Sequence, residues 1–96
     1  MKKYEVMYIL KADLEDAARK ELMDNMHGII TSDNGTIDNV DEWGLKDFAY
    51  EINHMTKGYY VVINMTCDTA ALNEFDRLMR INNNVVRHMI VALDEE

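Results

Sequence analysis

Ninety-six residues, 48% hydrophobic and 29% charged, describe one soluble globular domain with too little chain for a second core. Ten Lys and Arg against eighteen Asp and Glu leave a formal net charge of −8. That balance argues against a free-standing, non-specific nucleic-acid binder, but leaves room for a local basic patch or for binding beside a basic partner. Apolar runs reach five residues, where a membrane span needs roughly 18. The start, MKKYEV, lacks the apolar core of roughly 7–15 residues that marks a signal peptide, so a cytoplasmic protein is expected.

In chain order, residues 3–10 (KYEVMYIL) alternate as a strand. Tyr4, Val6, Tyr8 and Leu10 share one face and Glu5, Met7 and Ile9 the other. Both faces turn apolar toward the end, which predicts a central strand. Asp13 is placed to cap a helix carrying Leu14, Ala17, Ala18, Leu22 and Met26 at helical spacing, with Gly28 as its stop. Ser32–Gly35 is a turn. Residues 36–52 form a long strand with a bulge at Trp43–Gly44, where a glycine re-aims the backbone. Residues 54–58 close a hairpin, and 59–67 make a second central strand, rich in β-branched and aromatic side chains. Its lone cysteine, Cys67, has no internal disulfide partner and is expected to be a small buried hydrophobe. Asp68 or Thr69 caps a second helix with the stripe Leu72, Phe75, Leu78 and Met79, which Asn82–Asn84 ends. Residues 85–93 form the last strand, and residues 94–96 an acidic tail. The order β-α-β-β-α-β is the ferredoxin-like split βαβ. It predicts an α+β domain over residues 1–96: a four-stranded antiparallel sheet, two helices on one face, and a second face left for polar residues or a partner.

Motifs with chemistry mostly fail. The acidic stretch 33–51 cannot be a calcium loop, because placing Gly35 sixth puts Ile30 first. It is read as a solvated acidic strand edge. His27, His54 and His88 are scattered, with no HExxH and no cysteine pair. No metal or cofactor is therefore expected. An acylphosphatase would place a glycine-rich loop and an arginine after the first strand, where this chain reads LKADLED. Lys57, Gly58 and Tyr59 of KGYYVVINM half-match an RNA-recognition signature. Tyr59 and Tyr60, however, point to opposite faces, and the first strand lacks a companion aromatic pattern.

The segment WGLKDFAYEINHMTKGYYVV, residues 43–62, fits another pattern: W-G-x-R/K-x-L-A-Y-x-I-x-K-x-x-x-G-x-Y. Trp43, Gly44, Lys46, Ala49, Tyr50, Ile52, Gly58 and Tyr60 match it. It resembles the long hairpin of the bacterial small-subunit ribosomal protein S six family. The opening MKKYEV resembles that family's M-R-x-Y-E start, and Arg80, Val85, Arg87 and Met89 fall on its closing pattern, so the resemblance spans the chain. Lys2 and Lys46 stand where the family carries arginine.

The resemblance implies a non-catalytic assembly protein. It would bind the central domain of small-subunit ribosomal RNA as a heterodimer with the small basic ribosomal protein S eighteen. The cations expected on RNA are Lys2, Lys3, Lys46, Lys57, Arg80 and Arg87; for each the alternative is a solvated surface charge. The acidic stretch, with Asp38, Asp41 and Glu42, is expected to face the basic partner. Trp43 and Tyr50 are read first as hairpin core and second as partner anchors. The competing function is a small-molecule-binding regulatory domain of the same fold.

Overall fold

The computed structural model describes residues 2–52 and 55–93, with side chains described outside 48–52 and 55. The elements are β1 (Lys2–Lys11), α1 (Asp16–Thr31), β2 (Thr36–Ile52), β3 (Met55–Cys67), α2 (Thr69–Ile81) and β4 (Val85–Ala92). They form an antiparallel sheet of order β2-β3-β1-β4. The two strands expected to be central, β1 and β3, are central, and the fold is the ferredoxin-like α+β arrangement. The expected hairpin loop at residues 54–58 is instead strand from Met55 on. The tip (53–54) and the acidic tail lie outside the described residues.

The register explains the core. Tyr4, Val6, Tyr8 and Leu10 of β1 stand opposite Met65, Ile63, Val61 and Tyr59 of β3. Against this face α1 sets Met23, Met26 and Ile30, and α2 sets Ala71, Phe75 and Met79, all buried. Burying each of the larger side chains contributes about 1.5–3 kcal/mol before entropy is counted. Cys67 joins this core as a buried free thiol, and burial raises its pKa above the ordinary value.

The two helices start differently. Asp68 caps α2 as expected, its carboxylate accepting the Ala71 N–H at 3.0 Å. The cap expected from Asp13 does not form. The chain turns at residues 12 and 13, and α1 begins at Asp16 behind Glu15, whose side chain makes no capping bond. Nor does α1 stop at Gly28; it runs on to Thr31. The extra turn carries Ile30 into the core, and that burial outweighs the roughly 1 kcal/mol penalty of a helical glycine. The turn that follows depends on Gly35. A Cβ there would stand 2.7 Å from Ile30 Cγ2 and 2.8 Å from the carbonyl oxygens of Ile30 and Thr66.

The bulge falls where the sequence placed it. Register slips between Glu42 and Gly44, and Gly44 takes φ 87°, a left-handed backbone that suits glycine. Beyond the pairing of Lys11 with Gly58, β2 and β3 continue alone as a projecting hairpin.

Candidate functional site

Strand alternation puts every second residue of the sheet on the face away from the helices. Read across the sheet from β2 to β4, that face has three full rows: Gly44–Tyr60–Ile9–Arg87, Asp41–Val62–Met7–Met89, and Asn39–Asn64–Glu5–Val91. The bulge turns Trp43 onto the same face. Its ring stacks on Tyr60 at 6.2 Å between centroids and 5° between planes. Trp43, Met7, Val62, Met89, Val91 and Glu5 line a shallow groove of about 210 Å³. Trp43 is 47% exposed, Met89 53% and Val91 44%. Trp43 is therefore not hairpin core. Its bulge lifts it off the packed face. The Tyr50 side chain lies outside the described residues.

Charge rims this apolar strip. Trp43 Nε1 donates to Asp41 Oδ2 at 3.0 Å, and Lys46 Nζ sits 5.9 Å from the Trp43 ring centroid, within cation–π reach. Asp38 accepts from Thr66 at 2.6 Å and Thr36 at 2.8 Å. Those bonds, led by Thr66 and helped by the Lys3 charge, hold its carboxyl below the ordinary carboxylate value. It is thus an anion at neutral pH.

Glu42 is separated from these acids. It pairs with Val61 on the helix side and accepts the Tyr59 hydroxyl at 2.5 Å, while the Arg19 guanidinium lies 4.0 Å from the Tyr59 ring centroid. The Glu42 bond is the main reason the Tyr59 hydroxyl is harder to ionise than usual. This ties the base of the hairpin to the first turns of α1. Asp38, Asp41 and Trp43 are brought together on the open face; Glu42 is not with them.

The cations do not form one patch. Lys46 and Arg87 share the open face but sit on opposite edge strands, three strand spacings across and two residues along, about 16 Å apart at ordinary strand geometry. Lys57 pairs with Asp47 on the projecting hairpin, with helix-side parity. Arg80, at the C-terminal end of α2, lies 3.0 Å from Asp76, whose other oxygen binds His88 at 2.6 Å. Lys2 and Lys3 stand at the far end of β1. Two features escaped the sequence reading. Lys11 continues the open face beside Gly58, and the exposed apolar pair on β4, Met89 and Val91, completes the groove. Both were available as alternate residues of strands already identified.

Together these define a class: a small ferredoxin-like domain that offers a charged-rim, apolar sheet face. Among the described residues, no group of His, Cys, Asp and Glu could hold a metal ion, and no helix is long and apolar enough to cross a membrane. The family described as Ribosomal protein S6 matches residues 3–92. The small ribosomal subunit protein bS6 of Halalkalibacterium halodurans is 45% identical over the full length of both chains. The crystal structure of 30S ribosomal protein S6 from Thermotoga maritima superposes with a TM-score of 0.88 at 30% identity, covering 95% of this chain and 86% of that one. A protein of Arabidopsis thaliana shares the fold alone, with a TM-score of 0.58 at 12% identity, over 100% of this chain and 96% of its own. The chain belongs to the ribosomal protein S6 family, a structural rather than catalytic family of the small ribosomal subunit.

Proposed function

We propose that this chain enters the small subunit as one half of a protein pair. The open sheet face receives ribosomal protein S eighteen, and the pair binds the central domain of the ribosomal RNA in the cytoplasm. The observation that carries this reading is the uncovered apolar strip of Met7, Trp43, Val62, Met89 and Val91, rimmed by Glu5, Asp38 and Asp41. Apolar centres with polar rims and aromatic anchors are how protein interfaces are built. The net charge of −8 favours a basic occupant and disfavours bare phosphate. Lys46 and Arg87, on opposite edges of that face, remain clear of its centre and are the best-placed cations for RNA.

Among the described residues, no observation favours the small-molecule reading. The cleft between α1 and β2, about 340 Å³, is lined by charged groups that already pair among themselves or with close neighbours: Arg19 with Asp16, Lys20 with Asp24, and Glu42 with Tyr59.

A gel shift with a central-domain RNA fragment at about physiological salt tests the proposal. The lanes hold this protein, the cognate S eighteen, and both together. A shift with the mixture, weakened by Lys46→Glu and by Arg87→Glu, is expected. No complex between the two proteins and no shift in any lane would overturn it.

A further inference from the structure

The chain carries eight methionines, and their environments differ sharply. Met23, Met26, Met65 and Met79 are buried between the helices and the sheet. Met89 is 53% exposed, on the open face of an edge strand. Its cross-strand neighbour there is Met7, and both line the groove beside Trp43, Val62 and Val91. Thioether oxidation follows access of the oxidant to the sulfur. Of the methionines with described side chains, Met89 at the edge of the groove is therefore the most open to attack, while the core methionines are enclosed.

We propose that Met89 is a hydroperoxide-reactive modification site, and that its sulfoxide weakens docking of the basic partner on the open face. The second half rests on the function proposed above; the first does not.

In the reaction the Met89 sulfur lone pair attacks the terminal oxygen of a hydroperoxide. The S–O bond forms as the O–O bond breaks. The sulfur is oxidised by two electrons, and the peroxide leaves as its alcohol, or as water from hydrogen peroxide, after taking up a proton. A flexible apolar side chain becomes polar and chiral, and methionine sulfoxide reductases can restore it. Placed in the groove, the new S–O dipole would have to be buried beside Met7 and Val91 without a partner, a cost paid only in the complex. The same docking would cover the unoxidised sulfur. The site would thus be reactive in the free protein and protected in the assembled one.

The test treats the folded full-length chain with dilute hydrogen peroxide and follows each methionine by peptide mass mapping, with and without saturating S eighteen. Met89 is expected to oxidise at least about tenfold faster than Met23, Met26, Met65 and Met79, and to be protected by S eighteen. Separately, titration with S eighteen is expected to show about tenfold weaker binding after oxidation. Measured against its own untreated affinity, the Met89→Leu variant, which keeps the apolar volume, should lose far less affinity on treatment. Core methionines oxidising as fast as Met89 would overturn the site. Unchanged affinity of the Met89 sulfoxide form, or equal sensitivity of Met89→Leu, would overturn its effect on docking. Failure of the untreated protein to bind S eighteen would count against the docking proposal, and the mapping would still decide the site.

Discussion

One sheet carries two faces made from alternate residues of the same strands. On the helix side, Val6, Tyr8, Leu10, Val61, Ile63 and Met65 are fully enclosed. On the other side, Met7, Val62, Met89 and Val91 are of the same chemical kind, yet they are half-buried or exposed. Hydrophobicity alone does not distinguish them; what covers them does. The helix side stabilises the fold, because its area is removed from water within the chain. The open side leaves comparable area to be removed from water only when another molecule arrives.

Substitutions that separate folding from docking sharpen this comparison. The largest effect is expected from Phe75→Ala, which empties the fully buried centre of α2. It should cost about 3–5 kcal/mol of stability, read from the urea unfolding midpoint. That is a large part of the roughly 5–15 kcal/mol a small domain has. The fraction that stays folded should bind S eighteen with unchanged affinity. Trp43→Ala should do the reverse. The ring is half exposed and stacks only on its own hairpin, so stability should change by about 1 kcal/mol or less. Affinity for S eighteen should fall by about 2 kcal/mol or more, roughly thirtyfold, as for an aromatic anchor. If Trp43→Ala costs several kcal/mol of stability and the folded fraction docks as tightly as before, the division between the faces is wrong.

The smallest effect lies inside the covered face. Burial keeps the Tyr8 hydroxyl protonated far beyond its ordinary range, and it lies 3.0 Å from His27 Nε2. Burial also lowers the His27 pKa below 6.5, against the opposing pull of Asp24 on its own helix and Glu42 on β2. A protonated hydroxyl and a neutral imidazole therefore share this bond, its direction set by the imidazole tautomer. Because the folded pKa is the lower one, the unfolded chain binds the proton first as pH falls. The His27 contribution is complete above about pH 6.5 and is lost as pH falls from there through the lowered folded value. Urea unfolding between pH 7.5 and 5 should show a steeper loss for the natural chain than for His27→Gln. Parallel curves would remove His27 from the account.

Much of the fold was legible. Alternation in β1 and β-branched, aromatic content in β3 located the central strands, Asp68 announced α2, and the glycine after Trp43 marked the bulge. All three are local signals, set by φ/ψ preference and by the nearest backbone donors. The misplaced ends of α1 were not local. Asp13 looks like a cap and Gly28 like a stop, but the chain turns past the first, and the packing of Ile30 carries the helix past the second. The candidate site was legible only as a set of names. Asp38, Asp41 and Glu42 read as one acidic stretch, yet the bulged strand divides them between two faces. Lys46 and Arg87, far apart in sequence, end on the same one.

The sequence by itself determined the order of elements, the two central strands, the family and the surplus of acid, because each rests on residue type and short-range spacing. Only the tertiary structure decided which face of the sheet the helices cover and which side of the bulge Trp43 occupies. It also decided that Met89 is the most exposed of the methionines whose side chains are described. Those outcomes depend on strand register and on side chains distant in sequence coming together, and a one-residue slip at Glu42–Gly44 is enough to exchange one face for the other.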